Sequence, residues 1–503
     1  MTETLQARAR KLVEMNESDL VRIDEEKARV LAVLAEIDMR RRDKVAQISL
    51  YRSVIAPVRK MPNELLSYIF LLSCGDRDVP SWNVPYDMQR DDRWSIALAC
   101  KKWNKVFFST PEIWSNVSIT FTRSKQIPFE SLQRLLERSG NAPLTLNLSA
   151  SASESDVEPE EFNPFNLLAP HLGRIRDLKL HEISNTIQAF LSIPSHRLKL
   201  LHTLDISDNL WLSRSRILTE TTQPINAFEG APNLRKIDFH GVSISTIHSL
   251  PLSQITRLSI PWLNLRSHQV LNILSLSPNL IDCTFYIRSV MAPSTRSDTF
   301  PSSISPSNPL THNLRTLWLR RYEAESQIEV LDLLDCLVLP QLRQFRYGEG
   351  YRPETWNDKL APFALRSGLL ETLRLQDAVM SSETIEVFLR GTPHLIDLSI
   401  SSNTGQTIPS YLLEEMGRGA LVPKLESLSA MIDIKQGDGA ATLDLHLDML
   451  EQRRSEACPG SHISSVEFIF PEGTDLALLT PSLERLERMA STQEWKIRHH
   501  VLD

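Results

Sequence analysis

PVRKMPNELLSYIF at 57–70 and IALACKKWNKVFFSTPEIW at 96–114 are the two segments from which the organisation of this chain can be worked out. In the first segment Pro62 suits the first turn of a helix, because its missing N–H is not needed there and its fixed φ fits. The apolar residues that follow have the spacing of a short amphipathic helix: Leu65, Leu66, Ile69 and Phe70. The second segment repeats this pattern in a helix that begins near Ile96 and stops at Pro111. Together the two segments predict a small module of packed helices.

Three short elements occur in this region in a specific order. A methionine–proline start (Met61–Pro62) is followed by a cysteine–lysine–lysine–tryptophan segment (Cys100–Trp103) and a proline–glutamate–isoleucine–tryptophan end (Pro111–Trp114). In this order they resemble the F-box, a three-helix module that docks on the Skp-family adaptor of cullin–RING ubiquitin ligases. The alternative is a small helical hairpin with ordinary core aromatics. The resemblance implies adaptor contacts by these residues: Met61, Pro62, Leu65, Leu66, Ile69, Phe70, Leu98, Cys100, Trp103 and Trp114.

The residues before this module are expected to form one long helix, because no glycine or proline interrupts residues 5–55. Apolar residues recur there at three- and four-residue steps, and Ile23, Val30 and Ile37 partly fit the heptad of a coiled coil. Three basic residues interrupt this seam: Lys27, Arg41 and Lys44. Two interpretations stay open: the helix self-associates or binds a partner helix, or it folds back on its own helical module.

Length and composition limit the class of protein. A chain of 503 residues exceeds the size at which a single core keeps growing, so several units or a repeat array are expected. The net charge of −7 supplies no excess of cations for nucleic-acid phosphates or a membrane surface. No apolar run approaches the length of a membrane span. Five scattered cysteines without a CxxC pair, and no recognisable signal peptide, indicate a reducing cytoplasmic or nuclear compartment.

From Leu144 onward the pattern L-x-x-L-x-L returns, as in RIRDLKL at 174–180, LRTLWLR at 314–320 and LETLRLQ at 370–376. Alternation within each copy predicts a strand with one side toward a core. The copies are about twenty to forty residues apart, which includes the leucine-rich-repeat period of roughly 20–29 residues. The central positions of the eleven copies are Leu178, Leu204, Ile237, Leu258, Cys283, Leu317, Phe345, Leu373, Leu398, Leu428 and Val466.

Each copy is expected to pair a strand with a helix. Helical patterns lie between the strand signals, at 270–276, 329–337 and 384–390. One unit cannot bury its apolar edge alone, so the units are expected to stack into a solenoid with a parallel sheet on its concave side. An ordinary α/β domain would not need eleven strand signals in one register.

With the F-box, this array resembles the F-box–leucine-rich-repeat class of substrate receptors. The expected fold is therefore α plus α/β solenoid. Its parts are a long amphipathic helix over 1–55, a three-helix F-box over 56–120, a linker with the first strands and an acidic Ser-rich loop over 121–165, and an irregular leucine-rich-repeat horseshoe with a C-terminal cap over 166–503.

Polar composition marks three segments as exposed loops: Gly75–Arg93, Ser149–Asn163 and Ser289–Pro309. Near the end, Ala477–Arg488 is expected to form the helix that caps the last repeat. The pair His499–His500 is then expected in a solvated tail rather than in a metal site.

No catalytic motif is found. The sequence has no phosphate-binding loop, no dinucleotide fingerprint and no HExxH, and GVSIS at 241–245 lacks the final glycine of a nucleophile elbow. We therefore expect a non-catalytic protein without cofactor or metal.

A candidate surface for a protein target follows from the outward positions of the strands. Trp318, Arg346 and Arg374 fall on successive strands, with Arg320 alongside. Trp and Arg are enriched at binding hot spots, and arginines one strand apart (about 5 Å) can share a carboxylate or phosphate. The hypothesis is that these residues capture an acidic or phosphorylated segment. The alternative is a solvated strand face with Trp318 covered by a loop.

These features predict the substrate-recognition subunit of a cullin–RING ubiquitin ligase, which promotes ubiquitin transfer by holding its target nearby. A leucine-rich scaffold that acts without ubiquitylation is the alternative. A leucine-rich inhibitor that plugs an enzyme is disfavoured, because it has no use for an F-box.

Overall fold

The computed structural model describes most of the chain, in twenty ranges, and divides it into two compact units. One unit comprises residues 1–79 and 88–113, and the other comprises residues 80–87 and 114–503. The described ranges are 2–55, 57–75, 82–84, 93–121, 129–150, 165–181, 184–207, 227–240, 247, 250–287, 304–321, 327–348, 354–356, 360–376, 378–401, 408–432, 439–454, 463–470, 479–491 and 496–501.

The first unit begins with α1 (Thr2–Ile55), a helix of 54 residues. This confirms the predicted long N-terminal helix. Every described side chain from residue 5 to residue 55 of α1 is exposed. Its apolar residues alternate with many charges, and among the described residues no helix has both the length and the apolarity needed to cross a membrane.

Three short helices follow: α2 (Asn63–Gly75), α3 (Arg93–Leu98) and α4 (Lys101–Phe108). The prediction of a single helix from Ile96 to Pro111 is wrong, because the helix is interrupted between α3 and α4. Cys100 has an extended backbone there, and its Sγ accepts a hydrogen bond from the Trp103 N–H at 3.5 Å, which caps α4. A cap of this kind starts a new helix at Lys101.

In the described residues, the second unit is built on a parallel sheet of fifteen strands whose spatial order follows the chain order. Two further pairs of short parallel strands are separate from this sheet: Leu310–Thr311 with Leu337–Val338, and Glu354–Trp356 with Ala378–Met380. The strands are β1 (Trp82–Val84), β2 (Asn116–Phe121), β3 (Leu144–Ala150), β4 (Ile175–His181), β5 (Thr203–Ser207), β6 (Lys236–His240), β7 (Arg257–Leu265), β8 (Asp282–Ile287), β9 (Leu310–Thr311), β10 (Thr316–Arg321), β11 (Leu337–Val338), β12 (Gln344–Gly348), β13 (Glu354–Trp356), β14 (Thr372–Gln376), β15 (Ala378–Met380), β16 (Asp397–Ser401), β17 (Ser427–Met431), β18 (Ser465–Phe470) and β19 (Lys496–Val501).

All eleven predicted strands are present. Their central residues also pair in one continuous register, from Leu178 opposite Leu204 to Leu428 opposite Val466, and every one of them is buried. The structure therefore confirms a mixed fold of helices and strands with a long N-terminal helix and a large parallel sheet. This arrangement is compatible with an α/β solenoid.

Helices occupy many of the connections between the strands. The predicted helical segments at 270–276, 329–337 and 384–390 are confirmed as helices, although the second ends at Asp335, before Leu337 enters β11. The helices of this unit are α5 (Phe129–Arg138), α6 (Phe165–Leu168), α7 (Ser184–Leu191), α8 (Ser267–Leu276), α9 (Gln327–Asp335), α10 (Leu360–Leu365), α11 (Ser382–Gly391), α12 (Ser410–Gly417), α13 (Gly439–Arg454) and α14 (Thr480–Ser491).

The two ends of the sheet differ from the sequence-based expectation. The expected loop Gly75–Arg93 contributes β1, which pairs with β2, and its other residues between 76 and 92 lie outside the described residues. The helix expected over Ala477–Arg488 is present as α14 (Thr480–Ser491), but it does not close the array, because β19 follows it and pairs with β18. His499 and His500 therefore lie in β19 and not in an irregular tail. Most of the two other expected loops, 151–163 and 289–303, lies outside the described residues.

Candidate functional site

The α2 helix in the first unit has two apolar faces, and one of them is buried. Leu66, Phe70 and Cys74 follow at four-residue steps and are at most 8% exposed. The Phe70 ring packs edge-on against Trp103, with 5.2 Å between centroids, and against Phe107 at 6.3 Å. This aromatic cluster joins α2 to α4 and forms the core of the helical module.

The other apolar face of α2 is exposed. Leu65, Tyr68, Ile69 and Leu72 have the spacing i, i+3, i+4 and i+7, which places them on one side of the helix. Their exposed fractions are 53%, 61%, 40% and 54%. We call these four residues the α2 ridge. Folding of the unit leaves the ridge in water.

Polar contacts hold the segments around the ridge in place. The Lys102 Nζ donates hydrogen bonds to the carbonyl oxygens of Met61 at 2.5 Å and Arg59 at 3.2 Å. The Thr110 hydroxyl donates to the Val106 carbonyl at 2.7 Å and is hydrogen-bonded to the Ser67 hydroxyl at 3.0 Å. These contacts hold α4 and the residues after it against α2 and the turn before it. They therefore fix the position of the helix that carries the ridge.

The predicted adaptor residues divide by burial. Four of them are exposed: Pro62, Leu65, Ile69 and Leu98, whose exposed fraction is 78%. Another three are half-buried: Met61, Cys100 and Trp103. Three others are buried, and as core residues they are not offered to a partner: Leu66, Phe70 and Trp114. We therefore reassign them to stabilising the fold. Trp114 lies in the second unit, where the Arg138 guanidinium stacks on its ring at 4.7 Å.

Two members of the ridge, Tyr68 and Leu72, were not among the predicted adaptor residues. Their spacing from Leu65 is a signal that the sequence does carry. The neighbouring Leu66–Phe70 pair has an equally regular spacing, so sequence alone does not tell which of the two faces is buried.

The second candidate surface lies on the polar face of the sheet. Trp318 on β10 pairs in register with Arg346 on β12, which pairs with Arg374 on β14. The Arg320 guanidinium stacks over the Trp318 ring at 4.7 Å, and that of Arg346 lies 5.8 Å from the same ring. We call Trp318, Arg320, Arg346 and Arg374 the Trp318 patch. The structure thus brings all four predicted residues together.

Electrostatics differ among these arginines. Arg374 donates from Nη2 at 2.8 Å and from Nε at 3.0 Å to one carboxylate oxygen of Asp397 on β16. Burial lowers the pKa of Arg346, and neighbouring Arg374 lowers it further, while Asp397 acts in the opposite direction. The Nε of Arg346 is buried and has no hydrogen-bond partner in the described structure. The patch therefore combines one ion-paired arginine with one whose Nε is unsatisfied.

A groove of about 730 Å³ runs over the same face of the sheet from β4 to Arg346 on β12. Toward the β4 end of the groove, Asp205 on β5 and Asp238 on β6 lie opposite each other. Nε2 of His181 lies 3.5 Å from the Asp205 carboxylate, and Nε2 of His240 lies 3.1 Å from that of Asp238. Within the described ranges no group of three or more His, Cys, Asp or Glu side chains has an arrangement that could hold a metal ion. The groove thus offers both signs of charge to a bound segment.

The α2 ridge and the Trp318 patch belong to different units and differ in chemistry, one apolar and one cationic. No protein-family model and no curated protein sequence matches this chain.

Proposed function

We propose that this chain is a non-catalytic substrate-recognition subunit of a cullin–RING ubiquitin ligase. In this proposal residues 57–114 are an F-box that docks on a Skp-family adaptor, and the parallel sheet with its helices is a leucine-rich-repeat array that binds the protein target. A protein with these partners acts in the cytoplasm or the nucleus. The observation that carries the proposal is the α2 ridge, exposed apolar surface within the segment that resembles the F-box.

The ridge has the character of a docking surface. Single exposed apolar side chains are normal on proteins, but four adjacent ones on a single helix face form a contiguous patch of the kind that marks interaction sites. Fully burying one such side chain contributes about 1.5–3 kcal/mol. Leu98 at the end of α3 adds further exposed apolar surface to the same unit.

The Trp318 patch supports an acidic or phosphorylated segment as the target. Asp397 illustrates the geometry that an incoming carboxylate or phosphate would adopt, with two donors of Arg374 on a single oxygen. Arg346 sits one strand away with its Nε without a partner, and the Trp318 ring lies against two guanidinium groups. An aromatic ring and arginines in this arrangement combine stacking with directed anion binding.

The test is reconstitution of the full chain with a recombinant Skp-family adaptor, followed by addition of the cullin–RING core. We expect a stable 1:1 complex with the adaptor, of sub-micromolar affinity (better than about −8 kcal/mol), that then carries the cullin. Failure of the wild-type chain to bind the adaptor would remove the ligase mechanism and leave a scaffold that binds its partners without ubiquitylation.

A further inference from the structure

The α1 helix exposes far more apolar surface than a helix in water normally does. Leu20, Ile23, Val30, Leu34 and Ile37 are each more than half exposed. A helix stripe of this kind is usually covered by another element, and the structure covers none of the described side chains of α1. The charges on the rest of the α1 surface indicate which partner fits this apolar stripe.

Charge is unevenly distributed along α1. Residues 14–26 contain six acidic residues and one basic residue, whereas residues 38–52 contain five basic residues and two acidic ones. A second copy aligned in parallel would place like charges together along both segments. A second copy aligned antiparallel would place each acidic segment against a basic one.

We propose that α1 pairs antiparallel with α1 of a second copy of this chain, centred on the apolar stretch Val30–Leu34. In this register Val30 lies opposite Leu34 of the second copy. The three cations that interrupt the heptad seam then each lie opposite an apolar residue: Lys27 opposite Ile37, Arg41 opposite Ile23, and Lys44 opposite Leu20.

A carboxylate adjoins each of these apolar residues. Glu36 and Asp38 flank Ile37, Asp24 follows Ile23, and Asp19 precedes Leu20. A Lys or Arg in the seam can lay its aliphatic stem along the apolar residue and extend its charge to that carboxylate. In a parallel pair the same cation would instead face its own copy, so the feature that opposes a parallel coiled coil favours the antiparallel one.

Existing contacts along the helix do not oppose this pairing. Asp19 lies 3.3 Å from Arg22, and Glu25 lies 3.7 Å from Arg29, with all four side chains at least half exposed. Exposed pairs of this type contribute little and are readily exchanged. The pairing is independent of adaptor binding and extends beyond the proposed function.

The first experiment measures the mass of the full chain by light scattering at tens of micromolar, where we expect about twice 57.3 kDa. Zero-length carbodiimide cross-linking and mass spectrometry should then join Asp19 to Lys44. These two residues are about 38 Å apart along one helix, so their link must connect two copies. A monomeric mass, or a dimer without this link, would overturn the proposal.

Charge reversal tests the orientation of the two helices, with matched variants that each change two residues. Asp19→Lys/Asp24→Lys and Arg41→Glu/Lys44→Glu should each weaken dimerisation at least about 10-fold, and the four changes combined should restore it, because only then are opposite charges again face to face. Circular dichroism checks that each variant stays helical. A combined variant that associates no better than its two parents would contradict antiparallel pairing.

Discussion

Truncating the α2 ridge tests whether its exposed surface binds the adaptor. Leu65 and Leu72 are 53% and 54% exposed, so docking can newly bury only about half of each side chain. With about 1.5–3 kcal/mol for complete burial of a leucine, each contributes about 1 kcal/mol. The double variant Leu65→Ala/Leu72→Ala should therefore lose about 2 kcal/mol, a Kd about 30-fold weaker.

Calorimetric titration of the purified adaptor into the full chain measures this loss, and thermal unfolding checks the fold. The ridge variant should unfold with wild-type stability, because surface substitutions rarely change it by more than about 0.5 kcal/mol. The matched control is Leu66→Ala, which removes a leucine with no exposed surface. It should lower stability by about 2–5 kcal/mol and keep wild-type affinity where it remains folded. If wild type binds and the ridge variant binds within about threefold of it, the assignment of the ridge is refuted.

Three further results are expected. A fluorescein-labelled Gly-Gly-phosphoserine-Gly-Gly peptide should bind more tightly than its unphosphorylated form by anisotropy, and Arg346→Gln/Arg374→Gln should abolish the difference; equal binding of both peptides to wild type would exclude phosphate recognition. Burial lowers the pKa of His446 below its ordinary 6.5, and its Nε2 has no partner in the described structure, so the unfolded state takes up the proton more readily. The free energy of unfolding should therefore fall as the pH drops below about 6.5. In His446→Asn the amide can replace Nδ1 as the donor to the Thr442 carbonyl, and urea titrations of this variant should show a shallower fall with pH. An unchanged dependence on pH would assign the effect to other groups. Gly348→Ala should lower stability by about 1–3 kcal/mol in thermal unfolding, because Gly348 has φ 149° and a Cβ there would clash with Gln376; a wild-type melting curve would argue against this backbone conformation.

Much of the architecture could be predicted from the sequence because its signals are local. No glycine or proline interrupts the helical pattern of the N-terminal segment, and α1 extends from Thr2 to Ile55 as this pattern indicates. Alternation within each L-x-x-L-x-L copy determines which strand residues face the core, and copies with the same alternation stack in the same register. The same alternation placed Trp318, Arg346 and Arg374 side by side on the polar face, which the register of β10, β12 and β14 confirms.

Other features depend on what packs across from a residue, and only the tertiary structure decides them. Leu65 and Leu66 are chemically identical neighbours, and Leu66 is buried because the aromatic cluster of α4 covers its side of α2, while Leu65 faces water. The helix is interrupted at Cys100 because its extended backbone and its Sγ cap the start of α4. Arg374 pairs with Asp397, twenty-three residues away, and β19 forms because β18 presents an open edge to it. Sequence spacing sets which residues share a face of one element; the neighbouring elements determine whether that face becomes core or surface.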